Sequence, residues 1–174
     1  MAAMTKRAML VSETMNREIV VCRDADTLEV VIEAMLKHGI SGMPVINENS
    51  QVVGIISEKD IVHAFSKALE HAGIREIKAT MRLLFVGKIE DVDPRKLVEV
   101  MRSAKTQIAR NHMSAPPIMV SSRTSLREAL NLMIARRVNR LPVVDKSQLV
   151  GIITRGDIMV FLASELAHLN DPRQ

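Results

Sequence analysis

Two short stretches of this sequence carry side chains whose types and spacing could do chemistry. They are Ser57-Glu58-Lys59-Asp60 and Thr154-Arg155-Gly156-Asp157, each a hydroxyl followed three residues later by a carboxylate. At the start of a helix, such a hydroxyl and the free backbone amides suit a phosphate group, aided by the helix dipole. The carboxylate can accept both hydroxyls of a ribose. The same pattern also serves as a capping box, worth about 1 kcal/mol with no ligand at all. The tetrapeptide alone leaves both readings open. Other chemistries have less support. Neither a Gly-x-Gly-x-x-Gly run nor a P-loop occurs. His38, His63, His71, His112 and His168 lack metal-ligand spacing, and no nucleophile can be matched to a base. Cys22, the only cysteine, follows Ile19-Val20-Val21, which suits a small buried thiol and excludes a disulfide framework.

The elements that must hold these groups recur. Met15, Leu28, Met35 and Pro44-Val45 match Met113, Leu126, Met133 and Pro142-Val143 at an offset of 98. After one residue is dropped in a polar turn the offset becomes 97, and Val53-Gly54-Ile55-Ile56 and Asp60 fall on Val150-Gly151-Ile152-Ile153 and Asp157. A single gap placed in a turn is the mark of duplication. In each copy an apolar run, Ile19 to Cys22 or Ile118 to Val120, suits a buried strand. Thr27 and Ser125 stand as helix N-caps, with Glu128 completing a capping box after Ser125. Leu28, Val31, Ile32, Met35 and Leu36, matched by Leu126, Ala129, Leu130, Met133 and Ile134, predict one apolar helical stripe per copy. Gly39 suits a left-handed helix stop. Hairpins follow at Met43–Ile46 with Val52–Ile56 and at Leu141–Val144 with Leu149–Ile153, their prolines expected at a strand start or edge. The tetrapeptides then open a second helix. The unit reads β-α-β-β-α, too small to be comfortable alone, so the copies are expected to pack their sheets together.

The predicted division is residues 1–62 for an N-terminal helix and the first copy, 63–112 for a largely helical insert, and 113–174 for the second copy and a C-terminal helix. In the insert the first helix continues through Phe65 and Leu69 to Gly73, and Ile74 to Ile89 is ambiguous. Asp93-Pro94 opens a helix with a stripe at Leu97, Met101, Ala104 and Ile108. Composition is that of an ordinary globular protein, 47% hydrophobic and 25% charged, with three Phe, no Trp or Tyr, and twelve Met. The net charge of +4 is a modest surplus, and a chain so poor in aromatics has little on which to stack bases, which ranks nucleic acid third among partners. No apolar stretch is long enough for a membrane span or signal peptide, so a cytoplasmic location is expected.

The repeated pattern of Met, apolar strand, Thr/Ser-Leu helix, Pro-Val hairpin and Val-Gly-Ile-Ile-Ser/Thr-x-x-Asp resembles the CBS domain, named after cystathionine β-synthase. The resemblance covers Met15–Val62 and Met113–Met159 and leaves the insert unexplained. It implies an α+β fold in which two CBS repeats pack as a pseudo-twofold pair, a Bateman module. It further implies a non-catalytic regulatory module with an adenosine-type ligand: AMP, ADP, ATP or S-adenosylmethionine, with or without Mg²⁺. One ligand group would comprise Thr154, Asp157 and Ile152 with Val20, Ile40, Ser41 and Gly42; the other, Ser57, Asp60 and Ile55 with Ile118, Val138, Asn139 and Arg140. Arg140 could form charge-assisted bonds to phosphate, and Ser41 and Gly42 would let backbone approach adenine. The copies differ at these positions, so unequal occupancy is expected. A homodimer, signalling to a separate protein partner, is implied as well. The alternative is a ligand-independent dimerisation or adaptor module.

Overall fold

In a computed structural model of the chain, residues 8–71 and 94–169 are described. The expected stop at Gly73 and the ambiguous stretch Ile74–Ile89 lie outside them. The elements are β1 (Cys22–Arg23), α1 (Leu28–His38), β2 (Gly42–Ile46), β3 (Val52–Ser57), α2 (Glu58–His71), α3 (Pro94–Lys105), α4 (Leu126–Arg136), β4 (Arg140–Asp145), β5 (Gln148–Thr154) and α5 (Arg155–Leu169). Single 3-10 turns stand at Val11–Glu13 and Ala109–Asn111.

The helices form where caps and stripes predict them. Thr27 accepts from Val30 N and Ser125 from Glu128 N, which satisfies donors left open at the starts of α1 and α4. Gly39 ends α1 in the left-handed conformation, and Arg137 takes the same conformation after α4. Leu28, Val31 and Met35 are buried, as are Leu126, Ala129 and Met133. The last position of each stripe is not: Leu36 is 78% exposed and Ile134 60%. Eight residues at 100° each carry a side chain about 80° off the stripe, onto the flank. In α3 the buried pair is Val100 and Ala104, while Met101 points outward and the helix ends before Ile108.

The first strands are shorter than their apolar runs. Only Cys22 and Arg23 form β1, paired in parallel with Val45 and Ile46 in the sheet order β1-β2-β3. In the second copy Val120 makes only an isolated parallel bridge to Val143, beside the β4-β5 hairpin. The prolines accordingly sit inside strands rather than at their starts. Pro142 offers its carbonyl to Val120 N at 3.1 Å, and Val144 N donates to Val120 O at 2.8 Å. The parallel ladder thus begins at the proline, where its missing N–H has no acceptor to meet.

By contacts the chain divides into two compact units. Within the described residues, those of Met1–Ile19, Ser50–Val52 and Pro117–Gln174 form the first, and those of Val20–Asn49 and Val53–Pro116 the second. Each has its own aliphatic core, one around Val11, Leu141, Val143 and Ile153, the other around Leu28, Met43, Val45 and Ile56.

The segment leading into each copy therefore packs on the other copy. Leu126 N, Val11 N and Ser12 N donate to the carbonyls of Met9, Thr124 and Ser122 in the first unit, at 2.9, 2.8 and 3.0 Å. In the second, Leu28 N, Ala109 N and Arg110 N donate to Gln107, Asp26 and Asp24, at 2.8, 2.8 and 2.9 Å. These are the same three bonds at the repeat offset. Behind each turn a methionine lies against a glycine, Met15 on Gly151 and Met113 on Gly54. A Cβ at Gly54 would run into the Met113 side chain and stand 3.1 Å from Ser114 O, and one at Gly151 would run into Met15 and stand 3.2 Å from Asn16 O, so a side chain at either position would force its methionine to move.

Candidate functional site

In each copy the second strand of the hairpin runs directly into the second helix, which places the hydroxyl and carboxylate on one helical turn. Ser57 donates from both N and Oγ to Asp60 Oδ2, at 2.8 and 2.6 Å. Thr154 does the same to Asp157 Oδ2, at 2.7 and 2.8 Å, and its Oγ1 accepts from Asp157 N at 3.2 Å. Both carboxylates thus cap the backbone N–H at their helix start, and at Thr154 the reciprocal hydroxyl cap is made as well. The consequence is chemical: in this arrangement each hydroxyl proton is committed to the carboxylate, leaving backbone amides as the donors for a phosphate.

The pre-proline segment of the same copy adjoins each helix start. Glu58 N donates to Ser41 O at 3.1 Å, and Arg155 N to Asn139 O at 3.0 Å. Arg140 pairs with Thr154 in the β4-β5 ladder, two residues from the Pro142–Ile152 pair. Val138 N donates to Met133 O at 3.0 Å, while Ile118 and Val138 pack on the core of the first unit. Val20 and Ile40 pack on the core of the second. The structure thus brings together, within the first unit, Thr154, Asp157, Ile152, Asn139 and Arg140, and, within the second, Ser57, Asp60, Ile55 and Ser41. The grouping implied by the resemblance takes its members from both units.

Two residues of this neighbourhood escaped sequence reasoning. Ser114 Oγ donates to Asp60 Oδ1 at 3.4 Å, and its backbone exchanges hydrogen bonds with Ile55 at 2.8 and 3.1 Å. Asn16 makes the equivalent exchange with Ile152, both bonds at 2.9 Å. Each immediately follows a repeated methionine, so extending the repeat by one residue would have found them. Arg155 also reaches back, its Nη2 donating to Met133 O at 3.4 Å.

Burial, then Asp26, pushes the Cys22 thiol up to about 12, in keeping with an inert core residue. Among the described residues no group of three or more His, Cys, Asp or Glu could hold a metal ion. No described helix is long and apolar enough to cross a membrane.

The CBS domain family model matches residues 11–67 and 107–164, each match taking in the leading turn as well as the repeat. The chain belongs to the CBS domain family. Its α+β fold holds two CBS repeats. Protein MJ1426 of Methanocaldococcus jannaschii is 32% identical over 152 residues, covering 87% of this chain and 89% of that protein. The chloroplastic CBS domain-containing protein CBSX2 of Arabidopsis thaliana is 26% identical over 152 residues, and the match spans only 59% of its length. A crystal structure of CBSX2 in complex with AMP has a TM-score of 0.64 at 22% identity, covering 92% of this chain and 99% of that one. The CBS domain pair of protein MJ0100, solved in complex with 5′-methylthioadenosine and S-adenosyl-L-methionine, has a TM-score of 0.63 at 16% identity, covering 91% and 98%. At these identities the structural likeness is one of fold.

Proposed function

We infer that this CBS-repeat chain is a non-catalytic regulatory module that binds an adenosine-containing ligand through its Ser/Thr-x-x-Asp helix starts. The reading is carried by the duplicated carboxylate, held at a helix start beside the pre-proline backbone, in a family whose structural neighbours include complexes with AMP and S-adenosylmethionine. Backbone amides and the helix dipole attract phosphate, and the aspartate receives the ribose. Binding shifts the population of conformations or oligomers, and a separate protein reads the shift.

The two copies differ in quality. Asp60 already engages Ser114 through Oδ1, and Glu58 adds negative charge where the second copy has Arg155. Calorimetric titration with AMP, ADP, ATP and S-adenosylmethionine, with and without Mg²⁺, should detect binding. Asp157→Ala is expected to weaken it by roughly tenfold or more, and Asp60→Ala by less. Absence of heat with every ligand defeats the proposal. Ligand-independent self-association is the second reading. It draws support from α5, where Met159, Val160, Leu162 and Leu166 are 65, 72, 43 and 60% exposed.

A further inference from the structure

In the second unit, α2, α3 and the turn at Ala109–Asn111 enclose a cleft of about 680 Å³. That is the size range of small-molecule sites. The cleft shares no lining residue with the helix start at Ser57 and Asp60 or with Ile40-Ser41-Gly42. Part of its wall is apolar and small, at Ala68 and Val100. Two opposite charges also line it, Lys67 from α2 and Glu99 from α3, and among the described residues neither is in an ion pair. The amides of Gln107 and Asn111, the Ser103 hydroxyl and His71 also line it.

We propose that this cleft binds a small zwitterion of the free amino acid class. Lys67 takes the carboxylate and Glu99 the ammonium, through charge-assisted hydrogen bonds that a ligand bearing both groups can make at once. A simple anion would meet the repulsion of Glu99, and a simple cation that of Lys67. Val100 and Ala68 offer an apolar surface to an aliphatic side chain, and the two amides can serve any polar atom left over. His112 lies at the same cleft. Burial, followed by Lys67 and His63, holds its imidazole below the ordinary range, against an opposing pull from Asp60, and so favours its neutral form.

The test is a thermal-shift screen of the full chain with each standard L-amino acid at about 10 mM, followed by calorimetry on any that stabilise. At least one should bind. Lys67→Met and Glu99→Gln, both exposed positions, should each weaken binding roughly tenfold or more. The N-acetyl and the carboxamide derivatives of the same amino acid should lose binding to a similar degree. Glu48→Gln, in the exposed turn between β2 and β3, should leave binding unchanged. No stabilisation by any amino acid overturns the proposal, as does a hit that binds the Lys67 and Glu99 variants undiminished. A hit whose blocked derivatives bind equally well overturns it too. Adenine-nucleotide binding does not enter these readouts, so the two proposals stand or fall separately.

Discussion

The two units make the same three backbone bonds to a leading turn, yet they secure that turn differently. In the second unit Arg110 adds Nε and Nη2 contacts to Asp24 Oδ2, at 3.0 and 2.5 Å, and Lys105 reaches Glu29 at 2.6 Å. In the first unit the positions equivalent to Arg110 and Asp24 are Ser12 and Ser122, joined through backbone alone, while Ser122 N turns to Asp145 Oδ1. The common backbone bonds therefore set the geometry of docking, and side-chain charge is an addition specific to one copy. Asp24 is 8% exposed, so its charge depends on Arg110 for compensation.

That contrast is broken most directly by Asp24→Ala, which should cost about 1–3 kcal/mol in urea unfolding. Ser122→Ala should cost less, about 0.5 kcal/mol, since it removes one half-buried hydroxyl contact to Asp145 and leaves the backbone bonds in place. Comparable losses for both would show that the ion pair adds nothing to docking. A smaller effect is expected at the helix ends. Gly39 has φ +62° and open space around it, so Gly39→Ala should cost about 1 kcal/mol for conformation alone. Arg137, at φ 55°, should gain about 0.5–1 kcal/mol when changed to Gly. The smallest effect is on pH dependence. His112 occupies the position equivalent to Thr14, and both His112 Nε2 and Thr14 Oγ1 are buried without a hydrogen bond. The unfolded imidazole titrates near 6.5 and the folded one lower, so the unfolded state takes up the proton first as pH falls. Stability contributed by the neutral ring is whole above 6.5 and declines below it. Urea midpoints at about pH 7 and about pH 5 should converge in His112→Thr relative to the parent chain.

Much of this was legible in the sequence because it is local. Caps at Thr27 and Ser125, the hairpins, and the helix starts at Ser57 and Thr154 each depend on residues within one or two turns. The first strands were overestimated because an apolar run reports burial, whereas a ladder needs a partner, and only Cys22 and Arg23 find one in β2. Leu36 and Ile134 belong to the predicted stripes yet stand exposed, because apolar type is a weaker guide to burial at the flank of a stripe than at its centre. The docking of the leading turns was hidden for a different reason. A repeat says which residues correspond, and nothing about which copy they pack against, so Met15 and Met113 were assigned to the copies they precede. The contact between Asp24 and Arg110 spans 86 residues, and no periodicity announces it. A rule about missing donors puts Pro44 and Pro142 at a strand start or edge, and Pro142 does lie on a strand of a two-stranded sheet. The start it marks is that of the parallel ladder rather than that of the strand.

The crossed leading turns have a consequence for ancestry. A progenitor with one such copy, docking its leading turn as this chain does, would not have closed its own core with that turn. It would have had to exchange turns with a second molecule, as in a domain-swapped pair. Duplication in tandem would then make the exchange intramolecular, replacing an encounter between chains by a fixed effective concentration. Cutting the chain between its repeats would part the leading turn at Val11 from the copy it packs on, and make their contact once more an encounter between chains.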